Sequence, residues 1–140
     1  VAYDAQRRGS WFVVVDGKEE RPYDGIAEKS VRFIPGSYSV AYTAERRQKM
    51  LVILGDKEGP QHDGIGNGPL FCNNGGCVAY VARNGRKWIV FLNGHAGEEF
   101  DVIINGGPTF RPDGTIGYLG IKNGVLHRID SIPASATIEK

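Results

Sequence analysis

Short, wholly apolar runs recur along this chain, each closed by a turn. Trp88-Ile89-Val90-Phe91-Leu92 precedes Asn93-Gly94, Trp11-Phe12-Val13-Val14-Val15 precedes Asp16-Gly17, and Met50-Leu51-Val52-Ile53-Leu54 precedes Gly55-Asp56. Leu126-His127-Arg128-Ile129-Asp130 is a degraded fourth copy. A second landmark repeats with them: Val1-Ala2-Tyr3, Val40-Ala41-Tyr42, Val78-Ala79-Tyr80 and Ile116-Gly117-Tyr118. These copies start at positions 1, 40, 78 and 116, a spacing of 39, 38 and 38 residues. Tyr23-Asp24-Gly25-Ile26, His62-Asp63-Gly64-Ile65 and Phe100-Asp101-Val102-Ile103 form a third landmark, and Phe33, Phe71 and Phe110 a fourth. The chain is about four copies of one unit, and a repeat of this length decides the architecture before any local reading does.

The third copy gives the clearest elements. Val78 to Ala82 is short and apolar and ends at Arg83-Asn84-Gly85-Arg86. Asn-Gly between apolar runs signals a hairpin whose two central residues both take positive φ. Trp88 to Leu92 is the next strand, Glu99 to Ile103 a more polar one, and Thr109-Phe110-Arg111 a short one. Further turns fall at residues 7–10, 16–19, 35–37, 46–49, 56–59, 73–76, 105–108, 112–114 and 122–124, and around Pro133. No helical apolar period of useful length exists. The expectation is four short strands per copy, at least 12 in all, in antiparallel meanders. The Trp88 run is apolar on both faces, so both of its faces should be covered. Four-stranded sheets stacked face to face build a β-propeller. The fold class is therefore all-β: a β-propeller of about four 38–39-residue, four-stranded repeats in residues 1–140, either a four-blade unit or half of a larger ring. Trp88 reads as a buried anchor and Trp11 as a less covered one.

Phe110-Arg111-Pro112-Asp113-Gly114-Thr115-Ile116-Gly117-Tyr118 resembles the F-x-P-D-G-x-x-x-Y signature of WD40-like propellers of the TolB type. Phe33-Ile34-Pro35-Gly36-Ser37 lacks the Asp, and Phe71-Cys72-Asn73-Asn74-Gly75 lacks both Pro and Asp. The Trp-Asp and Gly-His dipeptides of true WD40 blades are absent. The resemblance implies inner strands near residues 31–34, 69–72 and 108–111, and second strands beginning at 1, 39, 77 and 116. Third strands would be the apolar runs, and outer strands would lie near 20–26, 59–65, 98–103 and 135–140. The first copy then lacks its inner strand. The resemblance also implies a periplasmic or other extracytoplasmic setting, and it is nearly silent on activity.

Composition adds exclusions. The 20 Gly and 7 Pro sit between apolar runs as turn punctuation. A net charge of +1 gives no electrostatic argument for nucleic acid or a membrane surface as partner. No apolar run is long enough to span a bilayer as a helix. The opening Val-Ala-Tyr, inside a strand motif, reads as a processed or excised segment. His62, His95 and His127 fall at different points of the repeat and offer no metal-ligand spacing. Asp24, Asp63 and Asp101 share one repeat position, which suits a turn-capping role recurring once per copy better than a cation ring. Cys72 and Cys77 flank a candidate hairpin and are either a disulfide or two buried thiols. Tyr3, Tyr42, Tyr80 and Tyr118 either line a channel or pack between sheets. No catalytic, metal-binding or cofactor-binding constellation emerges, and none is expected.

The leading functional expectation is a non-catalytic binding module that engages a protein or peptide through one loop face. Arg7, Arg8, Arg46, Arg47, Arg83 and Arg86 make one turn basic in three copies, which suits an acidic partner. The alternative is an accessory propeller of a larger, peptidase-like enzyme that gates or positions substrate. A further expectation is a homodimer in which two copies complete one ring, because an open arc would leave one face of residues 11–15 and one face of the fourth sheet in water.

Overall fold

A computed structural model describes residues 1–66, 68–72, 76–104, 107–113 and 115–131, with the backbone alone at Ser131. The expected outer strand near 135–140, the turn around Pro133, residues 73–75 and 105–106 of two expected turns, and Gly114 lie outside the described residues. Seventeen strands and no helix occur among the described residues. They form four antiparallel sheets, one per repeat. The chain divides into two compact units, Val1–Asp63 and Gly64–Lys140.

In the first unit, β1 (Ala2–Arg7), β2 (Ser10–Val15) and β3 (Lys18–Glu19) make a three-stranded sheet that lacks an inner strand. The second sheet contains β4 (Gly25–Ile26), β5 (Arg32–Phe33), β6 (Val40–Arg46), β7 (Lys49–Leu54) and β8 (Lys57–Glu58). Both β4 and β5 pair with the same edge of β6. The inner strand expected near 31–34 is thus a broken one, in two pieces. Its gap is closed without a regular ladder. Ala27 N donates to Thr43 O at 2.8 Å, and Thr43 N donates to Ser30 Oγ at 3.1 Å.

The outer strand expected at 20–26 serves two sheets. Glu19 pairs with Val14 and Tyr23 bridges Trp11 within the first sheet, but Gly25 and Ile26 pair with Glu45 and Ala44 in the second. A short polar strand carries no periodicity that names its partner, so the sequence could not reveal the change of sheet. Between the two sheets lies a core of Val13, Tyr23, Val40, Tyr42, Ala44, Leu51 and Ile53. Tyr23 meets Tyr42 edge to face at 6.2 Å. Phe12, Val13 and Val14 are all buried, so neither face of that run is open to water as a free arc would require.

The second unit repeats the plan. β9 (Gly64–Ile65) and β10 (Leu70–Phe71) pair with β11 (Val78–Asn84), which continues to β12 (Lys87–Leu92) and β13 (His95–Phe100). Its second sheet has β14 (Val102–Ile103) and β15 (Thr109–Phe110) on β16 (Ile116–Lys122), followed by β17 (Val125–Ser131). Here too the strand expected at 98–103 is shared: Phe100 pairs with Trp88, whereas Val102 and Ile103 pair with β16. Val81, Val90, Phe100 and Tyr118 form one core cluster of this unit. A Cβ on Gly120 would come within 2.6 Å of the Phe100 ring, so glycine at that position is what seats the aromatic. Cys72 and Cys77 are joined by a disulfide with their Cα atoms 5.4 Å apart. Tyr42, Tyr80 and Tyr118 are buried packing residues, Tyr80 stacking on Phe91 at 5.2 Å, while Tyr3 is exposed.

Trp88 differs from expectation. It is half-buried and lies beside the core rather than in it, because the repeat gives the buried place to its cross-strand partner Phe100. Replacing Phe100 by Ala should therefore cost about 3–5 kcal/mol, and Trp88→Ala closer to about 2 kcal/mol. Urea unfolding of the two variants checks this ranking, and a larger loss at Trp88 would contradict it.

Candidate interaction surface

The four central hairpins place their tips at Arg8-Gly9, Arg47-Gln48, Gly85-Arg86 and Asn123-Gly124. Arg8 and Gly9 both take positive φ, as do Arg47 and Gln48. In the third copy the tip is not Asn84-Gly85 as the dipeptide suggested. Asn84 pairs with Lys87, and of the tip residues only Gly85 has positive φ.

Left-handed backbone at Arg47 and Gln48 is costly for residues with a Cβ. A carboxylate holds the turn: Asp24 Oδ2 accepts a hydrogen bond from Arg47 N at 2.7 Å. Asp101 Oδ2 likewise accepts one from Asn123 N at 2.9 Å. Each of these aspartates follows the buried aromatic of one sheet and caps the hairpin tip of the next. Lys87 Nζ also pairs with Asp101 at 2.5 Å, and Lys49 pairs with Asp63. The shared position of Asp24, Asp63 and Asp101 thus brings carboxylates to the hairpins.

The six arginines singled out by sequence separate into two sets. Arg7 makes a two-pronged bond to Glu19, at 3.2 and 2.7 Å, with its guanidinium 5.0 Å from the Phe12 ring centroid. Arg46 does the same with Glu58, at 3.0 and 2.5 Å, and lies 5.0 Å from the Tyr23 ring centroid. Arg83 Nη1 donates to Gly85 O at 2.7 Å. These three are turned back onto the protein. Arg8, Arg47 and Arg86 stand exposed at the tips, and none of their guanidinium groups makes an ion pair among the described residues. The glutamate partners were missed by sequence reasoning, although an Arg followed twelve residues later by Glu recurs in the first two copies.

Glu58 is the most heavily bonded of these carboxylates. Besides Arg46 it accepts from Arg21 at 3.0 Å and from the Tyr23 hydroxyl at 2.8 Å, which ties the first sheet to the second. Hydrogen bonding from Arg46, then from Tyr23, holds its pKa down to about 2. Burial, reinforced by Glu58, pushes Tyr23 up to about 12.

The fourth sheet departs from the others on one face. The buried valines Val13, Val52 and Val90 have Arg128 as their counterpart, and Asp130 stands where Val15, Leu54 and Leu92 do. Arg111 reaches Asp130 at 2.5 Å by lying across Gly117, where a Cβ would sit 2.1 Å from its Nη2. Arg128 pairs with the same carboxylate at 3.2 Å. Leu119 and Leu126 remain exposed beside this cluster.

The histidines have separate settings. His62 is buried at the position of Tyr23 and Phe100 and bridges Met50 through the backbone. His127 packs 5.8 Å from Phe100, and His95 is exposed. Among the described residues no group of three or more His, Cys, Asp or Glu side chains could hold a metal ion. No helix among them is long and apolar enough to cross a membrane.

No family model, no curated protein and no solved structure matches this chain. The fold is therefore established as a repeat of antiparallel sheets, with no sequence match tying it to the TolB or WD40 families.

The low pKa of Glu58 makes a pH prediction. A carboxylate with depressed pKa stabilises the fold above its unfolded value, 4.5, and loses that contribution as pH falls through about 2. Wild type should melt above a Glu58→Gln variant at neutral pH, with the gap closing across that interval. A gap that persisted unchanged in strong acid would show that charge at Glu58 is not what the cluster uses.

Proposed function

We propose that this chain is a non-catalytic binding module, its sheets acting as blades of a WD40-like β-propeller, and that its basic hairpin tips engage an acidic protein or peptide. One observation supports this above others. In each of three hairpins one strand arginine, Arg7, Arg46 or Arg83, is bonded to the protein, and another at the tip, Arg8, Arg47 or Arg86, is left in solvent. Positive side chains on tightly held turns suit planar, two-pronged recognition of carboxylates. The Asx turn at Asp113, whose Oδ1 accepts from Thr115 N at 3.0 Å, supports the propeller-like reading of residues 110–118.

A fluorescein-labelled Glu-rich peptide in an anisotropy titration is the direct test. Reversing Arg8, Arg47 and Arg86 to Glu should weaken binding by at least about tenfold, and salt should weaken the wild-type complex. Unchanged affinity in the triple variant would refute the assignment.

Exposed Leu119 and Leu126 support one half of the ring-completing homodimer reading, a second copy on the fourth sheet, while the burial of Phe12, Val13 and Val14 leaves its other half, cover for the 11–15 run, without support. A partner there would also have to accommodate Arg128 and Asp130. Light scattering coupled to size exclusion should give the mass of two chains, and a monodisperse single-chain mass at tens of micromolar would end this reading.

A further inference from the structure

The first unit carries an open cleft of about 640 Å³ between its two sheets, at the end opposite the arginine tips. Its apolar wall includes Val15, Ile34, Val40 and Leu54, and its polar groups include Glu20, Asp56 and Lys57. Tyr38 stands on the rim, 93% exposed.

Three of these side chains are absent from the other copies. Glu20 N donates to Val13 O at 2.8 Å just as Gly59 N donates to Val52 O at 2.9 Å, so Glu20 occupies a position that is glycine in the second copy. The third copy has Gly97 there. Asp56 sits where the β2–β3 and β12–β13 hairpins have Gly17 and Gly94. The order Gly55-Asp56 reverses Asp16-Gly17 and Asn93-Gly94, so only Gly55 needs positive φ and the second position can carry a side chain. Tyr38 lies just before Ser39, whose carbonyl accepts from Ile34 N at 2.9 Å. Cys77 O accepts from Cys72 N at 3.1 Å in the same way, which makes Gly76 the counterpart of Tyr38. The corresponding residue of the fourth copy is Gly114. A requirement of the fold recurs in every repeat. Three side chains added at one junction, all at glycine positions and all around one cleft, are not required by the fold.

We propose that this cleft is a binding site for the guanidinium or ammonium group of a basic residue in a peptide partner. The chemistry follows from what surrounds it. Two carboxylates face one ammonium, which leaves the cleft with an excess of negative charge. Neither the Glu20 nor the Asp56 carboxylate forms an ion pair among the described residues. An arginine or lysine laid along Val15, Val40 and Leu54 covers its methylenes while its head group meets the carboxylates. The exposed Tyr38 ring on the rim is available for a cation–π contact with the same group. Its loop is already ordered: Ser37 Oγ donates to Ile34 O and accepts from Ser39 N, both at 3.1 Å, so little entropy is lost on binding. The site is independent of the arginine tips and stands or falls separately from them.

The test is an NMR titration of the intact chain with the blocked pentapeptide Gly-Gly-Arg-Gly-Gly and with its citrulline counterpart, which keeps the shape and lacks the charge. The arginine peptide should shift the amides of residues 34–40 (Pro35 has none) and 55–57 saturably. The citrulline peptide should bind about tenfold more weakly, as should the wild-type ligand to Glu20→Gln/Asp56→Asn. Lys57→Gln should bind more tightly, since it removes a like charge, and Tyr38→Ala more weakly. Matching melting temperatures confirm that the variants are folded. Shifts that fall elsewhere, equal binding of the citrulline peptide, or indifference to both charge variants would each overturn the proposal.

Discussion

The fold depends on backbone segments that hydrogen-bond to two sheets in succession. Tyr23 is paired to Trp11 in one sheet, and two residues later Gly25 is paired to Glu45 in the next. Phe100 and Val102 repeat the step in the second unit. A strand that ends in its own sheet would leave two sheets joined only by loose chain. A strand that continues into the neighbour fixes spacing and register through main-chain bonds. The side chains on either side of the step then have fixed tasks. The aromatic fills the space between sheets, and the aspartate caps the hairpin tip of the sheet just entered.

That fixed step explains the distribution of charge. Because the glutamates at 19 and 58 are committed to the scaffold, the guanidinium groups of Arg7 and Arg46 that they meet are scaffold too. Glu58 shows why such a cluster suits an inter-sheet seam. It accepts from two guanidinium groups and a tyrosine hydroxyl while still 23% exposed, so its charge is satisfied without the full cost of burial. What the repeat does not consume in the first unit is Arg8 and Arg47 at one end, and at the other the three side chains standing where sister copies have glycine.

The fourth copy follows the same logic in reverse. Where the first three copies have Val in mid-strand, it has Arg128, and Gly117 replaces Ala so that Arg111 can lie across the sheet to Asp130. Leu119 and Leu126 keep this face from being wholly polar.

The sequence by itself determined the period, the strand-rich character, the central hairpins and the lack of helix among the described residues. Those depend on short-range alternation and on turn chemistry, which a chain repeats visibly when it repeats its fold. It also marked Asp24, Asp63 and Asp101 as one repeated position, and the structure shows two of them, Asp24 and Asp101, capping hairpin tips. Tertiary structure alone decided which sheet each short polar strand joins, because two residues of strand carry no signal of their partner. It decided that Phe100 and not Trp88 takes the buried place, since the two are adjacent across a ladder and only packing ranks them. It decided which arginines are free, because the carboxylates that engage Arg7 and Arg46 lie twelve residues away along the chain and directly across the sheet. The cleft at Glu20, Tyr38 and Asp56 was written in the sequence as three missing glycines. It became legible only when hydrogen bonds aligned the copies residue by residue and brought those three positions to one place.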